Sequence, residues 1–137
     1  MTLKSCLAAI SVSLGLALAV TSVQAAECPA KTTLSDDVVA LLKEARTCDA
    51  AMKVFAACQY GAGGDTELGD IVEKKCEADF LDKADALKKH AYRRELGVCD
   101  RKYRNKSGTM YISFTAFCRA EVARRYSREA RKSAGVK

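Results

Sequence analysis

One histidine, one proline and no close C-x-x-C pair: these scarcities are the first features of this 137-residue chain. His90 is the sole imidazole base, and it lies within KKHAYRR, where no serine or free cysteine accompanies it. A nucleophile needs a base and an orienting group, so acid–base and nucleophilic enzymes are set aside, and His90 reads as a solvated surface residue. Closed zinc sites draw on clustered Cys and His ligands, which this spacing does not offer. No metal and no cofactor are therefore expected. Asp36 and Asp37 read as the acidic first turn of a helix, where negative charge suits the helix dipole, and not as paired catalytic carboxylates. No segment alternates polar and apolar residues long enough to specify a strand, which points to an all-α class. Tyr111–Phe114, YISF, is the one place where sheet-favouring residues gather.

Long apolar runs are equally scarce, and the one present is at the start. Residues 1–25 carry Lys4, an apolar run from Cys6 to Val20, and Val23 and Ala25 where a signal peptidase reads, so they are expected to be a secretory signal. The run is shorter than the ~20 residues a membrane-spanning helix needs, so no transmembrane span is expected once the signal is removed. Cys28 follows Ala-Ala-Glu, which does not suit a lipidated cysteine. Export predicts a periplasmic or secreted protein.

What the exported part does have is six cysteines: Cys28, Cys48, Cys58, Cys76, Cys99 and Cys118. An even count in an exported chain predicts three disulfides, with fifteen possible pairings. A repeat bears on the choice. CQYGAGGDTELGDIVEKKC and CDRKYRNKSGTMYISFTAFC each place two cysteines around a glycine-containing turn. If each unit closes on itself, Cys58 pairs with Cys76 and Cys99 with Cys118, which leaves Cys28 for Cys48.

Helical periodicity organises the remainder. Residues 26–34, with the only proline, read as an extended N-terminal arm tethered by Cys28. Residues 35–131 form a single domain of about four helices in two hairpins, roughly 48–87 and 88–131, followed by a flexible tail at 132–137. Ser35 suits an N-cap, and Thr47 either caps a second helix or marks a kink. Gly61, Gly63 and Gly64 end that segment. From Asp65 or Thr66, the residues Leu68, Val72, Cys76, Phe80, Ala84, Leu87 and Ala91 recur every three or four positions, predicting one long helix that reaches about Tyr103. After the turn at Asn105–Gly108, Met110, Phe114, Phe117, Cys118, Val122 and Tyr126 predict the inward side of a last helix, with Arg119, Arg124, Arg128 and Arg131 outside it.

Charge is divided along the chain. Residues 26–87 hold seven Lys/Arg against thirteen Asp/Glu; residues 88–137 hold fifteen against four. The basic stretch Lys88, Lys89, Arg93, Arg94, Arg101, Lys102 and Arg104, interleaved with Tyr92 and Tyr103, is the candidate anion-binding set. Nucleic acid is not the expected partner of an exported disulfide-rich chain without a recognition motif. Lipopolysaccharide, anionic lipid or another anionic envelope polymer fits the same charge.

Helix-Cys, a Gly-Gly or Gly-Ser/Thr turn, then a helix with a second Cys followed by Arg resembles the LprI-type small exported proteins, a group named for a lysozyme inhibitor. The match covers Cys99, Ser107-Gly108-Thr109, Cys118, Arg124 or Arg125 and Tyr126, and more faintly Cys58, Gly63-Gly64 and Cys76. The chain departs from the group in having no tryptophan and in carrying Glu95 where an arginine is expected. The resemblance implies a helical, disulfide-closed, non-enzymatic binding protein, with a cationic protein such as lysozyme as one partner. The loop Gly61, Gly63, Gly64, Asp65 and Thr66 is the candidate inserting element.

Overall fold

The computed structural model describes residues 27–32 and 35–135, and the expected signal at 1–25 lies outside them. Among the described residues five helices follow in order: α1 Ser35–Glu44, α2 Cys48–Ala57, α3 Gly64–Glu77, α4 Ala86–Tyr103 and α5 Thr109–Ser133. No strand occurs among the described residues. YISF forms the opening turns of α5, entered from Gly108 at φ 108°, a backbone angle that costs glycine little. At its other end α5 continues to Ser133, into the stretch expected as a tail.

Two local signals account for five helices in place of about four. Thr47 is a true N-cap: its side chain accepts the Ala50 N–H at 3.1 Å, so α1 and α2 are separate. The long helix expected over 65–103 is broken. After α3 ends, residues 78–84 run through tight turns, and Asp85 restarts the chain by accepting the Lys88 N–H at 2.7 Å. An unbroken helix there would be on the order of 55 Å long, well beyond the reach of α5. Folding back lays Tyr92, Leu96 and Cys99 on α5 instead, with Phe80 packed between Tyr92 and Tyr126 at ring distances of 5.0 and 5.5 Å. The break also changes the helical phase, so Leu87, expected on the buried face, is 83% exposed.

The bundle centres on α5. Going up α3 and α5 together, Asp65 meets Ser113, Gly69 meets Ala116, Glu73 meets Arg119 and Asp79 meets Ser127, so these two helices are parallel. Helix α4 runs the other way, with Cys99 on Cys118 and Glu95 on Tyr126. Helix α2 lies antiparallel to α3 and stacks Phe55 on Phe117 of α5 at 4.0 Å. Helix α1 closes the remaining side through Val38 and Leu42, its C-terminal carbonyls at Lys43 and Ala45 capped by the Lys75 ammonium at 3.0 and 2.7 Å.

The six cysteines among the described residues are all paired, in a pattern that corrects the reading by repeats. Cys99–Cys118 forms as expected, but the other two bonds are Cys28–Cys58 and Cys48–Cys76. The reason is the geometry of a hairpin, in which residues that face each other are equidistant from the turn. Midway between Cys99 and Cys118 is the Gly108 turn; midway between Cys58 and Cys76 is Glu67, already inside α3. Cys58 is at the turn, and Cys76 is roughly 18 Å along α3 from it, too far for a disulfide. Midway between Cys48 and Cys76 is Ala62, in the turn, so these two meet. Cys58 is thus free to hold the N-terminal arm through Cys28.

Candidate anion-binding face

The parallel course of α3 and α5 brings both glycine turns, 61–64 and 104–108, to one end of the bundle. In the first turn, Gly61, Gly63, Gly64 and Thr66 are exposed, whereas Asp65 is fully buried. Its carboxylate accepts the Tyr60 and Gly61 N–H groups, both at 2.8 Å, and the Ser113 hydroxyl at 2.5 Å. A buried carboxylate is tolerated when its oxygens are hydrogen-bonded, as these are. The Asp65 side chain therefore braces the loop against α5 and is not on the surface that the other four residues present.

The charges of α5 turn out to be largely engaged. Arg119 sets two parallel bonds on Glu73, Nε to Oε2 at 2.9 Å and Nη2 to Oε1 at 2.8 Å, and a third contact on Asp100 at 3.0 Å, joining α3, α5 and α4. Burial pushes the Glu73 carboxyl up, against the pull of Arg119. Burial also works against the charge on Arg119, but the two carboxylates outweigh it and hold the guanidinium above its ordinary range. Arg124 pairs with Glu121 at 2.7 Å, Arg125 with Glu95, and Arg128 with Asp49 at 2.7 Å. The hydrogen bond from Arg128 holds Asp49 below the usual carboxylate range. Arg131 also reaches Asp49, at 4.0 Å. Tyr126, buried and donating to Glu95 at 2.8 Å, has its phenol pushed up to about 12, by burial first and by Glu95 second. Tyr92 is raised too, by burial and then by its bond to Glu77.

Helix α4 is the opposite case. Tyr92, Leu96 and Cys99 turn inward, Glu95 is held by α5 and Asp100 by Arg119. The helical period then places Arg93, Arg94, Arg101, Lys102 and Arg104 on the outer side, all exposed, with His90 among them. Among the described residues no carboxylate lies within salt-bridge distance of these five arginine and lysine side chains, nor of Lys88, Lys89 or Lys106. Lys88 lies over the Tyr126 ring at 5.8 Å and Lys102 over Tyr103 at 5.1 Å. Six of the seven predicted residues are on α4 and Arg104 directly follows it, but they span its length: half-buried Lys88 and Lys89 are at its start, beside the 78–85 turns, and Arg101, Lys102 and Arg104 at the glycine end.

At that end a groove of about 460 Å³ opens between α3, α4 and α5, bordered by Thr66, Asp70, Tyr103, Arg104, Lys106 and Ile112. Next to it the first turns of α5 expose Met110 (50%), Ile112 (48%) and Phe114 (41%). Met110 and Phe114 were expected to face the core. The core-facing set starts with Ser113 and Ala116, one position out of phase with that expectation, because α5 buries the stripe that meets α3. Lys106 and Ile112 were absent from the sequence-based sites; the signal that could have found them was an apolar cluster following directly on a basic helix end.

Compared with known protein families, curated proteins and solved structures, the chain shows no match to any. No helix among the described residues is long and apolar enough to cross a membrane.

Proposed function

We propose that this is an exported, non-catalytic binding protein of an oxidising compartment, periplasmic or extracellular, whose α4 face engages anionic envelope material. One observation carries the reading. The arginines of α5 are matched by carboxylates, whereas Arg93, Arg94, Arg101 and Lys102 of α4, and Arg104 directly after it, are exposed with no carboxylate within salt-bridge distance among the described residues. Unpaired like charges on one surface generate the potential that attracts a polyanion, and salt weakens that attraction. Three disulfides fit the compartment. The test is retention on immobilised heparin or lipopolysaccharide. Neutralising Arg93, Arg94, Arg101 and Arg104 to Gln is expected to lower the eluting salt concentration sharply. Neutralising Arg124, Arg125 and Arg128, which are already paired, is expected to change it little. Equal losses from the two sets would remove the reading.

A second reading, an inhibitor of the LprI type, is favoured by the loop Gly61–Thr66, whose exposed residues are braced from beneath by Asp65. Slowed clearing of a bacterial suspension by lysozyme in the presence of the oxidised protein is the expected outcome. Unchanged clearing at high molar excess would dismiss it.

A further inference from the structure

The end of the bundle that carries both glycine turns sets the unpaired cations of the α4 end beside exposed apolar side chains, which the α4 reading does not use. We propose that this end inserts into an anionic lipid surface, with Met110, Ile112 and Phe114 entering the headgroup layer. This rests on the α4 reading and names a lipid bilayer as its ligand.

The arrangement of the apolar residues favours lipid over a protein groove. A partner groove reads one helix face, with anchors three and four residues apart. Here Ile112 is two positions from both Met110 and Phe114, so it emerges from the opposite side of α5. Side chains that ring a helix tip are covered by a medium that surrounds it, which a bilayer does and a single groove does not. From Met110 to Phe114 the helix rises ~6 Å, comparable with the 5–10 Å depth that interfacial helices reach.

The surroundings match the layers of a membrane surface. Tyr103, Tyr111 and Phe114 form a ring cluster with centroids 5.8 to 6.0 Å apart, and tyrosines favour the boundary between headgroups and hydrocarbon. Arg101, Lys102, Arg104 and Lys106 are on the α4 side of the same end, exposed and without carboxylate partners among the described residues. Each cation near an anionic leaflet strengthens binding about five-fold. On α3, Glu67 and Asp70 are roughly one and two helical turns behind Met110, since Asp65 is level with Ser113 and Gly69 with Ala116, and Asp70 borders the groove beside Arg104 and Lys106.

The chain has no tryptophan, so Phe114→Trp supplies a single fluorescent reporter at the tip. Vesicles of phosphatidylcholine alone, or mixed equally with phosphatidylglycerol, are the probe, and heparin retention is measured in parallel. Expected are a blue shift of the indole emission, with quenching by brominated acyl chains, on the mixed vesicles only. Replacing Met110, Ile112 and Phe114 together by Ser is expected to reduce vesicle binding at least ten-fold with heparin retention and helicity unchanged. Heparin retention without any shift of the indole emission would overturn tip insertion and leave the α4 reading standing. Loss of both would overturn both. A dimer in solution that the triple variant dissolves, with no vesicle binding, would assign the tip to a second copy of the chain and equally overturn the proposal.

Discussion

Gly69 fixes how near α3 comes to α5, and the substitution Gly69→Ala tests that spacing. On helix propensity alone alanine is better by about 0.8–1.0 kcal/mol, so a loosely packed α3 would gain stability. The added methyl, however, would be 2.9 Å from the Ala116 Cβ and 3.3 Å from its Cα and carbonyl oxygen. Carbon atoms rest about 3.5–4.0 Å apart, so the two helices must separate by several tenths of an ångström. Overpacking of this kind costs roughly 1–3 kcal/mol. The separation also pulls on the Asp65–Ser113 and Glu73–Arg119 contacts on either side. The net expectation is a loss of about 1 kcal/mol, a melting point lower by roughly 4–8 °C for a domain of this size. Ala116→Gly alone costs about the same for a different reason, lost helix propensity. Joined, the two changes exchange the methyl from one helix to the other and should recover most of the loss, with the 3.3 Å approach to the Ala116 backbone leaving a remainder. Urea unfolding followed by circular dichroism gives the cycle directly. A stabilising Gly69→Ala, or additivity within about 0.5 kcal/mol, would refute a close α3–α5 contact.

Further outcomes are expected from the same geometry. Peptide mapping of the oxidised chain without reduction is expected to give Cys28–Cys58, Cys48–Cys76 and Cys99–Cys118, and a Cys58–Cys76 peptide would invalidate the antiparallel α2–α3 hairpin. Removing Cys48 and Cys76 together should cost about 3–4 kcal/mol on the chain-entropy model, since the bond spans 28 residues. In alkali, the raised folded-state value of Tyr126 means that its contribution to stability is complete below the ordinary phenol value of about 10 and is lost as pH rises through about 12. Urea midpoints should fall across that interval, and Tyr126→Phe should flatten the fall; an unaltered slope would show that Tyr126 does not make this contribution.

How much of this was legible beforehand depends on the physical scale of each signal. Helical class, the two glycine turns and the Cys99–Cys118 bond follow from local periodicity and spacing, which act within one hairpin. Aligning the two units by sequence interval mispairs Cys58 and Cys76, because the distance of each cysteine from its turn decides which residues meet. That distance was available: Cys48, Ala62 and Cys76 are evenly spaced. The break at 78–85 was harder to read, because Leu68 to Ala91 keeps helical spacing throughout and only Asp85, as a cap, marks the restart. Its cause is tertiary: the aromatic cluster of Phe80, Tyr92 and Tyr126 requires α4 to return along α5. Met110, Phe114 and Leu87 were misplaced for the related reason that a face is defined by what packs on it, and α5 packs on three helices at once.

The charge map shows most clearly why position in the chain is a poor guide to position in space. An acidic first half and a basic second half suggest a molecule with two poles. The packing of α3 and α2 on α5 instead brings acidic side chains of the first half onto arginines of the second: Glu73 of α3 on Arg119, and Asp49 of α2 on Arg128 and Arg131. Glu95 and Glu121, two of the few carboxylates in the basic half, are used on Arg125 and Arg124. Of the described cations in the basic half, those left unmatched are, apart from Lys132, on α4 and the turn after it, where Glu95 and Asp100 are taken by α5 and no other described carboxylate comes within salt-bridge distance. The fold therefore concentrates the positive charge that the sequence spreads over its second half onto one helix face, beside the apolar tip of α5. For this reason a charge-neutralising scan should find its effects on anion binding along α4, and its effects on stability along α5.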